Sequence, residues 1–143
     1  MKERTLIIIK PDGISKEKEI ISRYQKAGLK VVAKKEMKAT KELLRQHYSA
    51  HAGKPFYEGL VEFMSSRKVA AFVLEGKNAV EVARKVTGAT DPSKADKGTI
   101  RGDLGTDIQE KANREKRAIQ NLVHASGTRD EAEKEIRLWF PEM

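Results

Sequence analysis

The run Thr5-Leu6-Ile7-Ile8-Ile9, stopped at once by Lys10-Pro11-Asp12-Gly13, constrains this chain more than any other stretch. Three consecutive isoleucines favour extended backbone, and the segment Thr5 to Lys10 reads as a buried strand. Its apolar part, Leu6 to Ile9, is four residues long. That is too short for a signal-peptide core or a membrane span. Proline and glycine then turn the chain. A strand this apolar needs a core to cover it, and 143 residues with 38% hydrophobic content fit one domain, residues 1–143, around one core. The absence of cysteine excludes a disulfide scaffold and a thiolate site and suits a soluble, cytoplasmic protein.

Helical and extended patterns alternate from there on. Ile20, Ile21, Tyr24 and Ala27 share a helical face, with Gly28 placed to end the helix. Leu29 to Ala39 predicts a second strand. Thr40 can cap a helix that carries Leu43, Leu44, His47 and Tyr48 at helical spacing. A short helix is expected over Phe56 to Ser65, a third strand over Val69 to Gly76, and a helix with Val82, Ala83 and Val86 inward, stopped by Gly88. A long loop from Ala89 to about Thr106, a charged helical stretch near Asp107 to Ile119, a strand over Asn121 to Ala125 and a last helix complete the chain. Thr128 and Glu131 stand at capping-box spacing at the start of that helix. The order βαββαβ, with extra helices, predicts an α+β sandwich: an antiparallel sheet of four strands with helices packed on one face. Such a fold assigns no function by itself.

Several phosphate and metal devices are missing. No segment matches a P-loop, a dinucleotide-binding glycine motif, a protein-kinase signature or a zinc protease motif. His47 and His51, four apart on a predicted helix, do not fill a metal site alone and read as structural or surface residues. If the chain handles phosphates, charged side chains at element ends must do it: Lys10, Arg84, Thr90 and Arg101. His124 stands at the last apolar position before a turn, where a strand end can hold a reactive ring at a cleft. A neutral imidazole beside captured anions suits nucleophilic work near neutral pH.

The strings ERTLIIIKPDG, KPFYEGLVEFMSS, VLEG, ATDPSKADKGTIRGD and NLVHAS…EAEKEI occur in this order and resemble the nucleoside diphosphate kinase family over nearly the whole chain. The resemblance implies a ferredoxin-like βαββαβ sandwich and transfer of the γ-phosphate of a nucleoside triphosphate, typically ATP, to a nucleoside diphosphate. It implies a ping-pong mechanism through a phosphohistidine, with Mg²⁺ on the nucleotide phosphates and no protein side chain assigned to the metal. It also implies a homo-oligomer, hexamer or tetramer. Carried over by position, His124 resembles the phosphorylated nucleophile, Glu135 the residue that orients its ring, and Ser126 a support for both. Lys10 resembles the lysine on the transferring phosphate and sugar hydroxyl, and Tyr48 the tyrosine beside the phosphohistidine. Arg84, Thr90 and Arg101 resemble the phosphate clamp, Asn121 the ribose-binding asparagine, and Phe56 with Leu60 the apolar pair that holds the base. A single stacking ring accepts any base, because every base has a π-face.

The chain departs from that pattern in three places. A helical segment is inserted near residues 104–120, beside the expected nucleotide site. Gly127 replaces the usual acid after His-Ala-Ser, where Thr128 and Glu131 are expected to compensate. The connection after Lys10-Pro11-Asp12-Gly13 is shortened and the C-terminus stops soon after Phe140, which leaves the subunit number open. A regulatory nucleotide binder that has lost turnover is a second reading. An RNA-binding module on the same plan is a third, encouraged by the net charge of +8. The expected strands lack the paired aromatics such modules stack on bases, so nucleic-acid binding is expected to be weak and non-specific.

Overall fold

The computed structural model describes residues 2–143. Four antiparallel strands form one sheet in the order β2-β3-β1-β4: β1 (Lys2–Ile9), β2 (Lys30–Met37), β3 (Val69–Lys77) and β4 (Val123–Ala125). This is the βαββαβ order with the first strand at the centre. β1 pairs with β3 along its whole length, Ile7 opposite Phe72 and Ile9 opposite Ala70. Its far end pairs with β4, Ile8 opposite His124.

The two faces of β1 pack into two different cores, which is why its run of isoleucines is uninterrupted. Leu6 and Ile8 join Val73, Ala71 and residues of α2 (Lys41–His47), α3 (Tyr57–Ser66) and α7 (Arg129–Trp139) in one cluster. Ile7 and Ile9 join Phe72, Leu74 and residues of α1 (Glu17–Lys26) and α4 (Ala79–Thr87) in the other. Helices therefore cover both faces of the sheet. The expectation of one covered face is corrected by β1 itself, whose two faces are both fully buried from Leu6 to Ile9.

Other boundaries shift for local reasons. Phe56 precedes α3 and is not its first residue. The stretch after Gly88 is not an open loop: a 3₁₀ turn at Pro92–Lys94 leads to α5 (Ile100–Leu104), capped by Thr99 Oγ1, which accepts from Gly102 N–H at 3.0 Å. Of the charged stretch Asp107 to Ile119 only Gln109–Arg114 is helix, α6. Its apolar stripe is too thin to carry more: Ala112 is buried, while Ile108 is among the most exposed large hydrophobics. The last strand loses Asn121 and Leu122, because Leu122 adopts φ +75°. No helix among the described residues is long and apolar enough to cross a membrane.

Candidate active site

The segment Asn121-Leu122-Val123 brings the central residues together. A bulky residue at φ +75° is a backbone outlier that persists only where its surroundings over-determine it. Val123 N–H donates to Asn121 C=O at 2.9 Å, so Leu122 is the middle of a positive-φ γ-turn, a rare and strained form. The motif after β1 holds it. Lys10 N–H donates to Leu122 C=O at 2.9 Å, and the Asp12 carboxylate accepts from Leu122 N–H at 3.0 Å. Gly13 leaves room for that carbonyl, since a Cβ there would lie 2.5 Å from it. Arg101, on α5, donates to the carbonyls of Asn121 (3.1 Å), Val123 (2.6 Å) and Gly88 (3.2 Å). Three of its five N–H groups are thereby spent on the backbone and two remain. Burial, and after it the charge of Arg84, push Arg101 down to about 10, so it stays charged near neutral pH.

This turn aims Asn121 and His124 into one cavity of about 1010 Å³. Lys10 lines it, nearly fully buried at 7% exposure, and its Nζ donates to Asn121 Oδ1 at 2.8 Å. Asn121 in turn donates through Nδ2 to the Thr90 carbonyl at 3.0 Å. Burial, then repulsion from Arg101, push the Lys10 ammonium down to about 8. Tyr48 adds a hydroxyl with no hydrogen-bond partner, and burial raises its pKa well above the usual phenol range.

His124 is fixed from behind. Its Nε2 lies 2.9 Å from Glu135 Oε1, and Ser126 Oγ donates to the same oxygen at 2.7 Å. Burial raises the Glu135 carboxyl, but the hydrogen bonds from His124 and Ser126 help to outweigh it, and the net shift is downward. An ionised carboxylate only accepts, so the ring proton belongs on Nε2 and Nδ1 keeps its lone pair. The result is a half-buried imidazole with a free nucleophilic nitrogen, held at the middle of the three-residue strand β4 and not at a strand end as the sequence suggests. α7, which carries Glu135, begins at Thr128. Thr128 Oγ1 caps Glu131 N–H at 3.1 Å. The Glu131 carboxylate reaches back to Gly127 N–H, also at 3.1 Å, and not to Thr128 as a capping box would have it. A Cβ at residue 127 would meet that carboxylate at 2.6 Å, so glycine here makes room for an acid supplied from four residues on.

A ring nitrogen of His47, one of His124 and an oxygen of Glu135 lie within 4.8 Å of one another, a spacing that metal ligands share. One nitrogen of each ring is already engaged. His47 Nδ1 accepts from Trp139 Nε1 at 3.0 Å, and His124 Nε2 is paired with Glu135. A hard cation prefers oxygen ligands in any case. Among the described residues that line the cavity, Glu131 is the only carboxylate. The cavity offers phosphates a cationic lining.

Residues 3–143 match the sequence profile of the family described as nucleoside diphosphate kinase. The chain belongs to the nucleoside diphosphate kinase family. These are phosphotransferases that act on nucleotides. A nucleoside diphosphate kinase of Pyrococcus furiosus is 49% identical over 140 residues, covering 96% of this chain and 83% of that protein. One of Saccharopolyspora erythraea is 44% identical, with both chains covered completely. An NDP kinase crystal structure from Pyrobaculum aerophilum has a TM-score of 0.90 at 37% identity, covering 98% of this chain and 96% of that one. A nucleoside-diphosphate kinase from Borrelia burgdorferi, a transition-state mimic with bound vanadate and ADP, has a TM-score of 0.91 at 36% identity, covering 97% and 87%.

Within this family frame, the cavity gathers Lys10, Tyr48, Phe56, Leu60, Arg84, Thr90, Arg101, Asn121 and His124 on its walls. Ser126 and Glu135 stand behind His124. Sequence reasoning missed Asp12, Gly13 and His47 as contributors, and placed the segment near residues 104–120 beside the site. Asp12 and Gly13 shape the turn at Leu122, and the Pro-Asp-Gly string was the available signal. His47 packs against His124 with ring centroids 4.6 Å apart, and no local pattern announced it. The segment 104–120 supplies Gln109, Asn113, Lys116 and Arg117 to the rim of the same cavity. Asp107 ties it down, accepting from Arg117 at 2.6 and 2.9 Å and from Gln120 N–H at 2.8 Å.

Proposed function

We propose that this chain is a nucleoside diphosphate kinase that works by a ping-pong mechanism through a phosphohistidine at His124, in a single catalytic domain spanning residues 1–143. The observation that carries the reading is the pairing of His124 Nε2 with Glu135, which leaves Nδ1 unprotonated on the wall of a cationic cavity. In the first half-reaction the Nδ1 lone pair attacks the γ-phosphorus of a nucleoside triphosphate, typically ATP. The bond from that phosphorus to the bridging oxygen breaks, and the nucleoside diphosphate leaves with the electron pair. The second half-reaction reverses this with a β-phosphate oxygen of another diphosphate as nucleophile. Glu135 stabilises the charge that develops on the ring, and Ser126 keeps Glu135 in place.

Phosphoryl transfer asks mainly for positioning and for positive charge around the equatorial oxygens. Lys10, Arg84, Thr90 and the two free N–H groups of Arg101 supply it, with Tyr48 donating beside the phosphohistidine. Asn121 and Lys10 hold the ribose. Phe56 and Leu60 hold the base by stacking and burial, which accepts purines and pyrimidines alike. Mg²⁺ would be held chiefly by the nucleotide phosphates, with Glu131 the one carboxylate among the described residues lining the cavity, and would neutralise charge on the phosphate oxygens. We further infer a homo-oligomer, hexamer or tetramer, in the cytoplasm; β2 leaves one long sheet edge unpaired, with Val32 exposed upon it. Binding to nucleic acid is weak and non-specific in this reading.

The test is a half-reaction. The protein is mixed with Mg²⁺ and γ-labelled ATP without acceptor, isolated, and then offered GDP or CDP. Acid-labile, base-stable label on His124 that both diphosphates remove is the expected result. His124→Ala should take no label while keeping its circular dichroism spectrum. Label that forms but is not discharged, or full labelling of the alanine variant, refutes the mechanism.

A further inference from the structure

Trp139 and His47 have no part in the mechanism above, yet they form a hydrogen-bonded pair against the His124 ring. Trp139 lies on α7 one turn beyond Glu135, and its indole Nε1–H donates to His47 Nδ1 at 3.0 Å. Indole nitrogen is a donor only, so His47 Nδ1 must be the bare nitrogen. Burial, then the proximity of His124, hold the His47 imidazole far below its ordinary range, to about 3. The ring is therefore neutral, and its proton sits on Nε2. That Nε2 is shut off from solvent and has no acceptor. A buried donor left unpaired is destabilising and calls for an explanation.

The surroundings provide one. His47 meets His124 nearly edge to face, centroids 4.6 Å apart and planes at 79°. Trp139 and Tyr48 close on His47 in the same manner, at 5.6 and 4.5 Å. The arrangement presents the positive edge of one ring to the face of another. Glu135 grips His124 by a single nitrogen, which leaves the ring free to swivel about that bond. His47 blocks the swivel. α7 thus holds both imidazoles from one rigid element, His124 through Glu135 and His47 through Trp139. Were His47 protonated on Nδ1 instead, the bond to Trp139 would be lost and a lone pair would replace the N–H on the buried edge.

We propose that His47, locked in its Nε2–H form by Trp139, is a positioning residue that sets the His124 ring for attack on the transferring phosphorus. The proposal rests on His124 being the nucleophile.

The experiment compares the wild type with Trp139→Phe, which keeps an aromatic ring and removes the N–H. Single-turnover labelling by Mg²⁺ and ATP gives the rate of His124 phosphorylation, and steady-state kinetics give KM. Nitrogen-15 spectra of the imidazoles report which nitrogen of His47 carries the proton. In the variant the rate should fall about ten-fold, a size suited to a modest misplacement of a reacting group. KM should stay within about two-fold, and the His47 proton should no longer be confined to Nε2. His47→Phe, a second route should Trp139→Phe fold poorly, keeps ring packing without any N–H and should be slowed similarly. His47→Gln, with an acceptor for the indole and a donor beyond it, should recover part of the rate. An unchanged rate in Trp139→Phe or His47→Phe, or wild-type spectra placing the proton on Nδ1, overturns the proposal. Wild-type protein that takes no label on His124 fails the functional reading itself, which separates the two outcomes.

Discussion

Replacing Lys10 by methionine should make this protein more stable and much less active. Lys10 is buried, and its ammonium is pushed from 10.5 to about 8 chiefly by that burial. At about 1.36 kcal/mol per unit, holding the charge inside the fold at neutral pH costs about 3 kcal/mol. Methionine removes the charge and keeps most of the volume. It also leaves Asn121 Oδ1 without the donor it has at 2.8 Å, a loss of about 1–3 kcal/mol. The balance is a gain of about 1 kcal/mol, or about 3 °C in Tm for a chain of this size. The pH dependence gives the sharper signature. The folded-state pKa of Lys10 lies below its unfolded value, so below about 8 both states carry the proton and the full penalty is present. Between about 8 and 10.5 the folded wild type releases its proton first, the penalty fades, and the variant loses its advantage. Denaturant unfolding of both proteins from pH 7 to 10 measures this, and single-turnover labelling measures the price in function, a loss of about 10²–10³-fold in phosphorylation rate. A variant less stable than the wild type at pH 7, or a stability difference that does not change with pH, refutes the reasoning.

Three other outcomes are expected. Glu135→Gln, which can turn an amide donor toward His124 Nε2, should slow phosphorylation by about 10²-fold with an unchanged circular dichroism spectrum, the size expected of a misplaced nucleophile. Asp107→Ala should release the segment 104–120: hydrogen exchange over residues 108–119 should rise and nucleotide KM should increase several-fold, while global stability changes by no more than about 1 kcal/mol, as suits a partly exposed ion pair. Thr128→Ala should cost about 1 kcal/mol in denaturant unfolding through loss of the α7 cap.

What the sequence revealed follows from where the information lies. β1, β3 and the major helices were legible because their apolar residues recur at strand or helix spacing along the chain itself. β1 also held evidence of two cores, since four adjacent residues, Leu6 to Ile9, are buried, yet the pattern was read as one covered face. The candidate site could be read only jointly: Lys10, Arg101 and His124 are unremarkable alone, and only their order along the chain suggests a shared cavity, on whose wall the structure places all three. Three features stayed hidden for a shared reason. The γ-turn at Leu122 depends on Asp12 and Gly13, about 110 residues away in sequence. His47 owes its setting to Trp139, 92 residues on. The fold of the segment 104–120 rests on one polar clasp, Asp107 with Arg117, which leaves no periodic trace and sits beside a helix of only six residues.

That clasp bears on how freely the segment it closes can vary. A single carboxylate fastens the neck of the segment, taking Ile108 N–H at its start and Arg117 and Gln120 N–H at its end. The segment's residues close on themselves before the chain rejoins the sheet, and only Ala112 among them is fully buried. Such a segment can change in sequence without disturbing the strand that follows. The mouth of the cavity is thus free to diversify while the walls that hold Lys10, Asn121 and His124 stay as they are.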